Sequence, residues 1–222
     1  MALLEIKGLR TCFRTGNKTS VDIVRGIDLF VEEGEIVGLV GESGSGKTVT
    51  ALSIMRLLPP SLHVRSGQIL YEGKDLLKLP KSEMARIRGS KIATIFQEPD
   101  LNPIMTVESQ LREVMPKATP SDLTRLLAKV GIPDPEQRLS GYPFQFSGGM
   151  KQRVMIAMMA LARSPKILIA DEPTTALDVT VQAQILDLLE KIARENNMGM
   201  ILITHNLALI AEHADRVVVM RN

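Results

Sequence analysis

Ile36-Val-Gly-Leu-Val-Gly41-Glu-Ser-Gly-Ser-Gly-Lys47-Thr48 is the stretch whose reading decides the fold. Ile36 to Val40 is nearly continuous in apolar character, the habit of a strand buried on both faces in a parallel sheet. The loop Gly41 to Thr48 fits the spacing G-x-x-x-x-G-K-[ST] and opens into a helical pattern over Val49 to Leu58, with Leu52, Met55 and Leu58 on one face and Pro59-Pro60 as a stop. Strand, small-residue loop and helix N-terminus together make a phosphate cradle. Backbone amides point at a β-phosphate, Lys47 brings positive charge to the β- and γ-phosphates, and Thr48 offers a hydroxyl to Mg²⁺. A Gly-rich turn with an exposed lysine is the bland alternative, and it requires neither the strand nor the helix.

Working outward, Leu3 to Leu9 and part of Ile27 to Val31 alternate apolar and polar residues as half-exposed strands do, and Gln68 to Tyr71 reads as an edge strand ended by Glu72-Gly73. Lys91 to Phe96 reads as another buried strand. Between Glu98 and Phe146 lie seven prolines and helix-period pieces such as Leu123, Leu126, Leu127 and Val130. That texture predicts a small helical lobe inserted into an α/β body. Strand patterns return at Ile167 to Ala170, Met200 to Ile203 and Arg216 to Met220, with an amphipathic helix over Val181 to Ile192, and alternation of this kind argues for a mostly parallel sheet covered on both faces.

Composition narrows the classes of function. A chain of 222 residues with 45% hydrophobic content can bury a sizeable core, and a net charge of +2 without like-charge runs gives no sign of a nucleic-acid arm or a polybasic anchor. Cys12 is the only cysteine, so no internal disulfide and no Cys-rich metal site is available. No signal-type N-terminus is evident, and the longest apolar run, Val154 to Ala162, is far short of the roughly 20 residues of a membrane helix. A reducing cytosolic setting fits, with any membrane passage supplied by other chains. Met155, Met158 and Met159 sit at core spacing on one helix face, and Cys12 and His213 read as structural.

Two further loops carry chemistry. Lys166-Ile-Leu-Ile-Ala-Asp171-Glu172 is an apolar strand ending in adjacent carboxylates, which suits Asp171 to Mg²⁺ and Glu172 to general-base work on an attacking water. Phe146-Ser147-Gly148-Gly149-Met150 precedes a helix over Lys151 to Arg163, so Ser147 caps a helix start whose glycines expose amides for a second anion.

The loop at Gly41, Gln97, Ser147-Gly148-Gly149, Asp171-Glu172, Ala176-Leu177-Asp178 and His205 occur in the order found in the ABC transporter nucleotide-binding subunits, and the resemblance covers essentially the whole chain. Phe144 to Arg153, Ala170 to Asp178 and Gly131-Ile-Pro-Asp-Pro135 look most like the dipeptide/oligopeptide and nickel importer ATPases. The resemblance implies a P-loop NTPase of α/β class, with a mostly parallel RecA-like sheet, a small antiparallel β subdomain and an inserted helical subdomain. It implies one domain over residues 1–222, with 1–97 and 164–222 as core and 98–163 as the helical part.

By the same resemblance ATP and Mg²⁺ are the cofactors. Gly41, Glu42, Ser43, Gly44, Ser45, Gly46, Lys47, Thr48 and Val49 hold the nucleotide, Phe13 stacks on adenine, and Thr48, Gln97 and Asp171 hold the metal. Lys47, Gln97, Glu172 and His205 act in catalysis, His205 on the γ-phosphate. Ser147, Gly148, Gly149 and Asp178 complete the site of a second nucleotide-binding subunit packed head to tail. The implied partners are that subunit, in a homodimer or a paralogous heterodimer, transmembrane permease subunits that dock near Glu98 to Met115, and, indirectly, an extracytoplasmic solute-binding protein, at the cytoplasmic face of the membrane and with no nucleic acid. On the residues alone Phe13 is as readily an ordinary strand-end apolar residue, and Asp178 serves equally as a helix N-cap.

The chain departs from the pattern at Asn206, where the family usually has Asp after the histidine. The Pro99 to Pro120 segment looks shorter than in such importers, and the stop at Asn222 suggests a fragment. A cassette acting on nucleic acid would carry a long coiled coil between Lys47 and Ser147, where no heptads occur, and a tandem ribosome-acting ATPase would need a second cassette. A binding-only regulatory subunit is disfavoured by Glu172 and His205.

Overall fold

The computed structural model describes residues 2–15, 19–175 and 177–221. In order the chain forms β1 (Leu4–Thr15), β2 (Thr19–Val31), β3 (Ile36–Gly41), α1 (Lys47–Met55), β4 (Leu62–Tyr71), β5 (Lys74–Asp75), α2 (Lys81–Ile87), β6 (Ile92–Ile95), α3 (Val107–Val114), α4 (Pro120–Lys129), α5 (Pro135–Arg138), α6 (Gly148–Ile156), β7 (Ile167–Asp171), α7 (Val179–Glu195), β8 (Gly199–Ile203), α8 (Leu207–His213) and β9 (Arg216–Met220). Strands β2, β1, β4 and β5 make an antiparallel sheet, and β6, β7, β8, β3 and β9 make a second sheet in that order. Every pairing in the second sheet is parallel. This is the mostly parallel sheet that the strand patterns predict, with the separate antiparallel part that the resemblance implies.

The continuous apolar runs have a direct cause. Ile36 and Val40 of β3 join Leu168 of β7 and Leu202 of β8 in one core, shared with Leu111, Leu123, Leu127 and Val154 of the helices between β6 and β7. Val37 and Leu39, with Ile169, Ile201 and Ile203, face a second core built from Leu4, Leu9, Ile54 and Met84. Successive side chains therefore enter opposite hydrophobic layers, and these strands carry no polar residue before Asp171 at the end of β7.

Several boundaries differ from expectation. β1 runs well past Leu9, where the alternation is broken by register shifts between Ile6 and Leu9, between Leu9 and Arg10 and between Thr11 and Cys12, the last with both Thr11 and Cys12 buried. β4 begins at Leu62 and lies between β1 and the two-residue β5, its first half masked in sequence by the exposed Arg65 and Ser66. α1 ends at Met55 because Arg56 turns left-handed, with φ 50°, and its amide closes on Leu52 and Ser53. α6 starts at Gly148, three residues earlier than its poor helix formers suggest, and passes at Ala157 into a π-helical stretch that runs to Ala162.

One polar joint anchors the strand that leads to the Gly-rich loop. Arg194, at the end of α7, donates from both terminal nitrogens to Asp215 at 2.8 Å and to the Gly34 carbonyl at 2.8 Å, while Asp215 accepts from the Ile36 amide at 2.8 Å. The hydrogen bonds from Arg194 hold the Asp215 carboxyl below the usual carboxylate range, against the opposing effect of burial. Because the folded value is the lower one, this contribution is present above the unfolded value and fades as pH falls through the folded one. The pair is partly exposed, so after solvent screening it is worth at most about 1 kcal/mol. Asp215→Asn is expected to lower the melting temperature by about 2–4 °C at pH 7, with the gap to wild type closing on acidification below about pH 4, as thermal melts across that range would read.

Candidate nucleotide site

Three neighbouring strands bring the candidate residues to one edge of the parallel sheet. β3 delivers Gly41, β7 ends at Asp171 and β8 at Ile203, and the register sets Ile203 opposite both Asp171 and Leu39. Ligands of open α/β sheets bind in the crevice beyond the carboxyl ends of the strands. A cleft of about 520 Å³ opens there, lined by Ile23, Ser43, Gly44, Gly46, Lys47, Thr48, Val49, Gln97 and Glu172.

The loop is built for close approach. A Cβ on Gly41 would sit 2.4 Å from the Met220 carbonyl oxygen, so β9 backs directly onto the turn out of β3. Helix α1 begins at Gly46 without a side-chain cap and without an acidic residue in its first turn. Its first amides thus keep their unsatisfied donors, whereas α3, α4, α6, α7 and α8 are each capped by a side chain. Lys47 is buried, and its ammonium group donates to the carbonyls of Gly41 at 2.8 Å and Glu42 at 3.0 Å, curling over the mouth of the loop with no carboxylate partner among the described ion pairs. Free amides at a positive helix end beside a lysine held only by carbonyls are a fit for a phosphate.

Facing the loop, Thr48 Oγ1 donates to Asp171 Oδ1 at 3.3 Å. Asp171 is 4% exposed, and burial pushes its carboxyl above the usual carboxylate range, with the Thr48 hydrogen bond pulling the other way. A hydroxyl, a buried carboxylate and the Gln97 amide across the cleft are hard oxygen donors. No group of three or more His, Cys, Asp or Glu side chains able to hold a metal exists among the described residues. Mg²⁺ beside phosphates is typically held by only one or two protein oxygens.

Glu172 follows on a backbone with φ 47°, left-handed and strained for a residue with a side chain. Its amide donates to Ile203 at 2.9 Å, extending the β7–β8 pairing by one residue. Its Oε2 accepts from Thr175 Oγ1 at 2.8 Å and lies 3.4 Å from His205 Nδ1. His205 is 70% exposed, and Asn206 beside it caps α8 by accepting from the amides of Ala208 and Leu209, so the change from Asp leaves the cap intact.

Other expected site residues lie apart. Phe13, 40% exposed, pairs with Val21 across the β1–β2 ladder and is not among the residues lining the cleft. Ser147, Gly148 and Gly149 line no part of that cleft either. Ser147 caps α6 by accepting from the Met150 amide at 3.3 Å, and Asp178 caps α7 through the Val181 amide at 3.0 Å. Ala176, within the Ala176-Leu177-Asp178 motif, lies outside the described residues. Ile23, Thr175 and Met220 enter the site from the structure alone. Nothing in the local sequence marks Ile23 or Met220, and Thr175, though inside the Ala170 to Asp178 stretch, carries no role until its contact with Glu172 is known.

Residues 24–175 match the model of the ABC transporter family. This chain belongs to that family. It is 49% identical over 228 residues to the oligopeptide transport ATP-binding protein OppD of Bacillus subtilis, covering 98% of this cassette and 63% of OppD. Against the dipeptide transport ATP-binding protein DppD of the same organism the identity is 51%, over 98% of the cassette and 68% of DppD. The cassette thus spans about two thirds of the length of these peptide-transport relatives. Among solved structures, an ATP-binding cassette captured as a dimer in a post-hydrolysis state with ADP and phosphate superposes with a TM-score of 0.83 at 26% identity, covering 98% of this chain and 94% of that one.

Gly149 has a packing duty that its place in a candidate anion loop conceals. A Cβ there would meet Val181 Cγ1 at 2.7 Å, so α6 and α7 pack too closely for any side chain. Gly149→Ala is expected to destabilise the cassette by about 1–3 kcal/mol in chemical denaturation, and Val181→Ala in the same chain should recover most of it.

Proposed function

We propose that the cassette binds and hydrolyses ATP with Mg²⁺ and powers an importer of peptides. The observation carrying this reading is the convergence of the Gly41 to Thr48 loop, Asp171-Glu172 and His205 at the ends of three adjacent strands. Lys47 and the α1 amides hold the triphosphate. Thr48, Asp171 and Gln97 hold Mg²⁺, which when bound neutralises charge on the β- and γ-phosphates. Glu172 accepts the proton of the attacking water, and His205 contacts the γ-phosphate from the exposed side. Peptides are favoured over nickel chelates as cargo because the relatives described above carry peptide transport in their names.

The Ser147 to Gly149 loop sits on the cassette but outside the cleft that contains Lys47, which supports a half-site completed by a second cassette packed head to tail. The solved cassette that superposes on this chain is itself a dimer, in agreement with this reading. Loss of the γ-phosphate would remove the charge bridging the two loops, and the resulting opening would move a permease between inward and outward states. No helix among the described residues is long and apolar enough to cross a membrane. The spanning segments are assigned to permease subunits, with the cassette at the cytoplasmic face and a solute-binding protein acting on the far side. The exposure of Ile104, at 83%, supports the Glu98 to Met115 stretch as the surface that docks on the permease.

Two measurements test the assignment. Glu172→Gln should retain ATP binding and hydrolyse it roughly a hundredfold or more slowly, and unchanged turnover would sink the general-base role. ATPase activity per mole of cassette should rise steeply with protein concentration, because hydrolysis requires two chains. Full activity in a strictly monomeric sample would overturn the half-site.

A further inference from the structure

We propose that the hydroxyl of Thr175 is a positioning group for the Glu172 carboxylate, an inference that rests on the general-base reading of Glu172. Thr175 Oγ1 donates to Glu172 Oε2 at 2.8 Å, the shortest contact made by that carboxylate among the described residues. The alternative neighbour, His205 Nδ1, is 3.4 Å away on a largely exposed ring and cannot hold the group still. Glu172 is the last residue before the chain leaves the sheet, and its left-handed backbone leaves the side-chain direction to be set by what it touches.

Thr175 is itself firmly placed. Its amide donates to the Glu172 carbonyl at 3.2 Å, closing a turn with Pro173 at the position where a fixed φ is favourable. The turn is tied to α7, because Gln182 Nε2 donates to the carbonyls of Thr174 at 3.2 Å and Leu177 at 3.0 Å. A rigid turn therefore presents one hydroxyl to one carboxylate oxygen. Oε2 accepts that bond and Glu172 lines the cleft, and Oε1 is the oxygen assigned to the attacking water. A general base works only when its free oxygen lies within hydrogen-bond reach of the water, and an error of about 1 Å in such a placement costs up to roughly a hundredfold in rate. Thr175 acts through Glu172 and is not among the residues that line the cleft.

The test uses the whole chain, with ATP and Mg²⁺, in steady-state and single-turnover assays. Thr175→Val removes the hydroxyl at nearly constant shape, and kcat should fall roughly tenfold while KM for ATP stays within about twofold. Thr175→Ser keeps the donor and should restore kcat to within about twofold of wild type. In a Glu172→Gln background Thr175→Val should cause no further loss, since its effect passes through the carboxylate. Unchanged kcat in Thr175→Val, equal loss in Thr175→Ser, or a full additional loss in the Glu172→Gln background would each overturn the role of Thr175. Normal turnover in Glu172→Gln alone would overturn the general-base reading beneath it, a result distinct from an inactive Glu172→Gln paired with a fully active Thr175→Val.

Discussion

Everything at the site depends on how closely β9 approaches the end of β3. At Gly41 the chain leaves the sheet against the Met220 carbonyl, with no room for a side chain. Thr50 reaches the Met220 thioether at 3.9 Å from the other side of the loop. Backed in this way by β9, the loop presents the Gly41 and Glu42 carbonyls to Lys47, and α1 starts without a side-chain cap. The shape of the loop thus follows from sheet packing: the strand is buried on both faces, and the backbone turns out of the sheet only at its exit.

A second consequence concerns charge. Asp171 ends a strand that is otherwise wholly apolar, so its carboxylate sits where burial penalises ionisation, offset by one hydroxyl and a nearby lysine. The next residue, Glu172, escapes that environment only by taking a left-handed backbone, and the Pro173 to Thr175 turn then decides where its carboxylate points. Two adjacent acids consequently stand in different surroundings, Asp171 buried beside Thr48 and Glu172 held by the hydroxyl of Thr175. Strain at Glu172 is tolerated because its amide continues the ladder to β8 and the turn behind it is bonded to α7.

Much of this was legible in the chain before any coordinates. Ile36 to Val40, Ile167 to Ala170 and Met200 to Ile203 read as buried parallel strands because alternate side chains enter two different cores, which leaves no polar residue to disturb the pattern. The phosphate loop and the carboxylate pair were legible because their chemistry demands particular residues at fixed spacing. Boundaries were less legible wherever a local irregularity broke the period: the register shift in β1, the left-handed Arg56 that ends α1 early, and the glycines that conceal the start of α6.

By itself, then, the sequence determined the α/β class, the loop from Gly41 to Thr48, the acids Asp171 and Glu172, and the caps at Ser147 and Asp178, because each follows from residue type over a few neighbouring positions. Tertiary structure alone decided that Met220 supports the phosphate loop, that Gly149 is small because α7 lies against it, that Thr175 meets the Glu172 carboxylate, and that Ser147 to Gly149 stands away from Lys47. These relations join residues whose partners are set by strand order, helix crossing and turn geometry. A contact across the fold leaves no period or spacing in the chain from which it could be read.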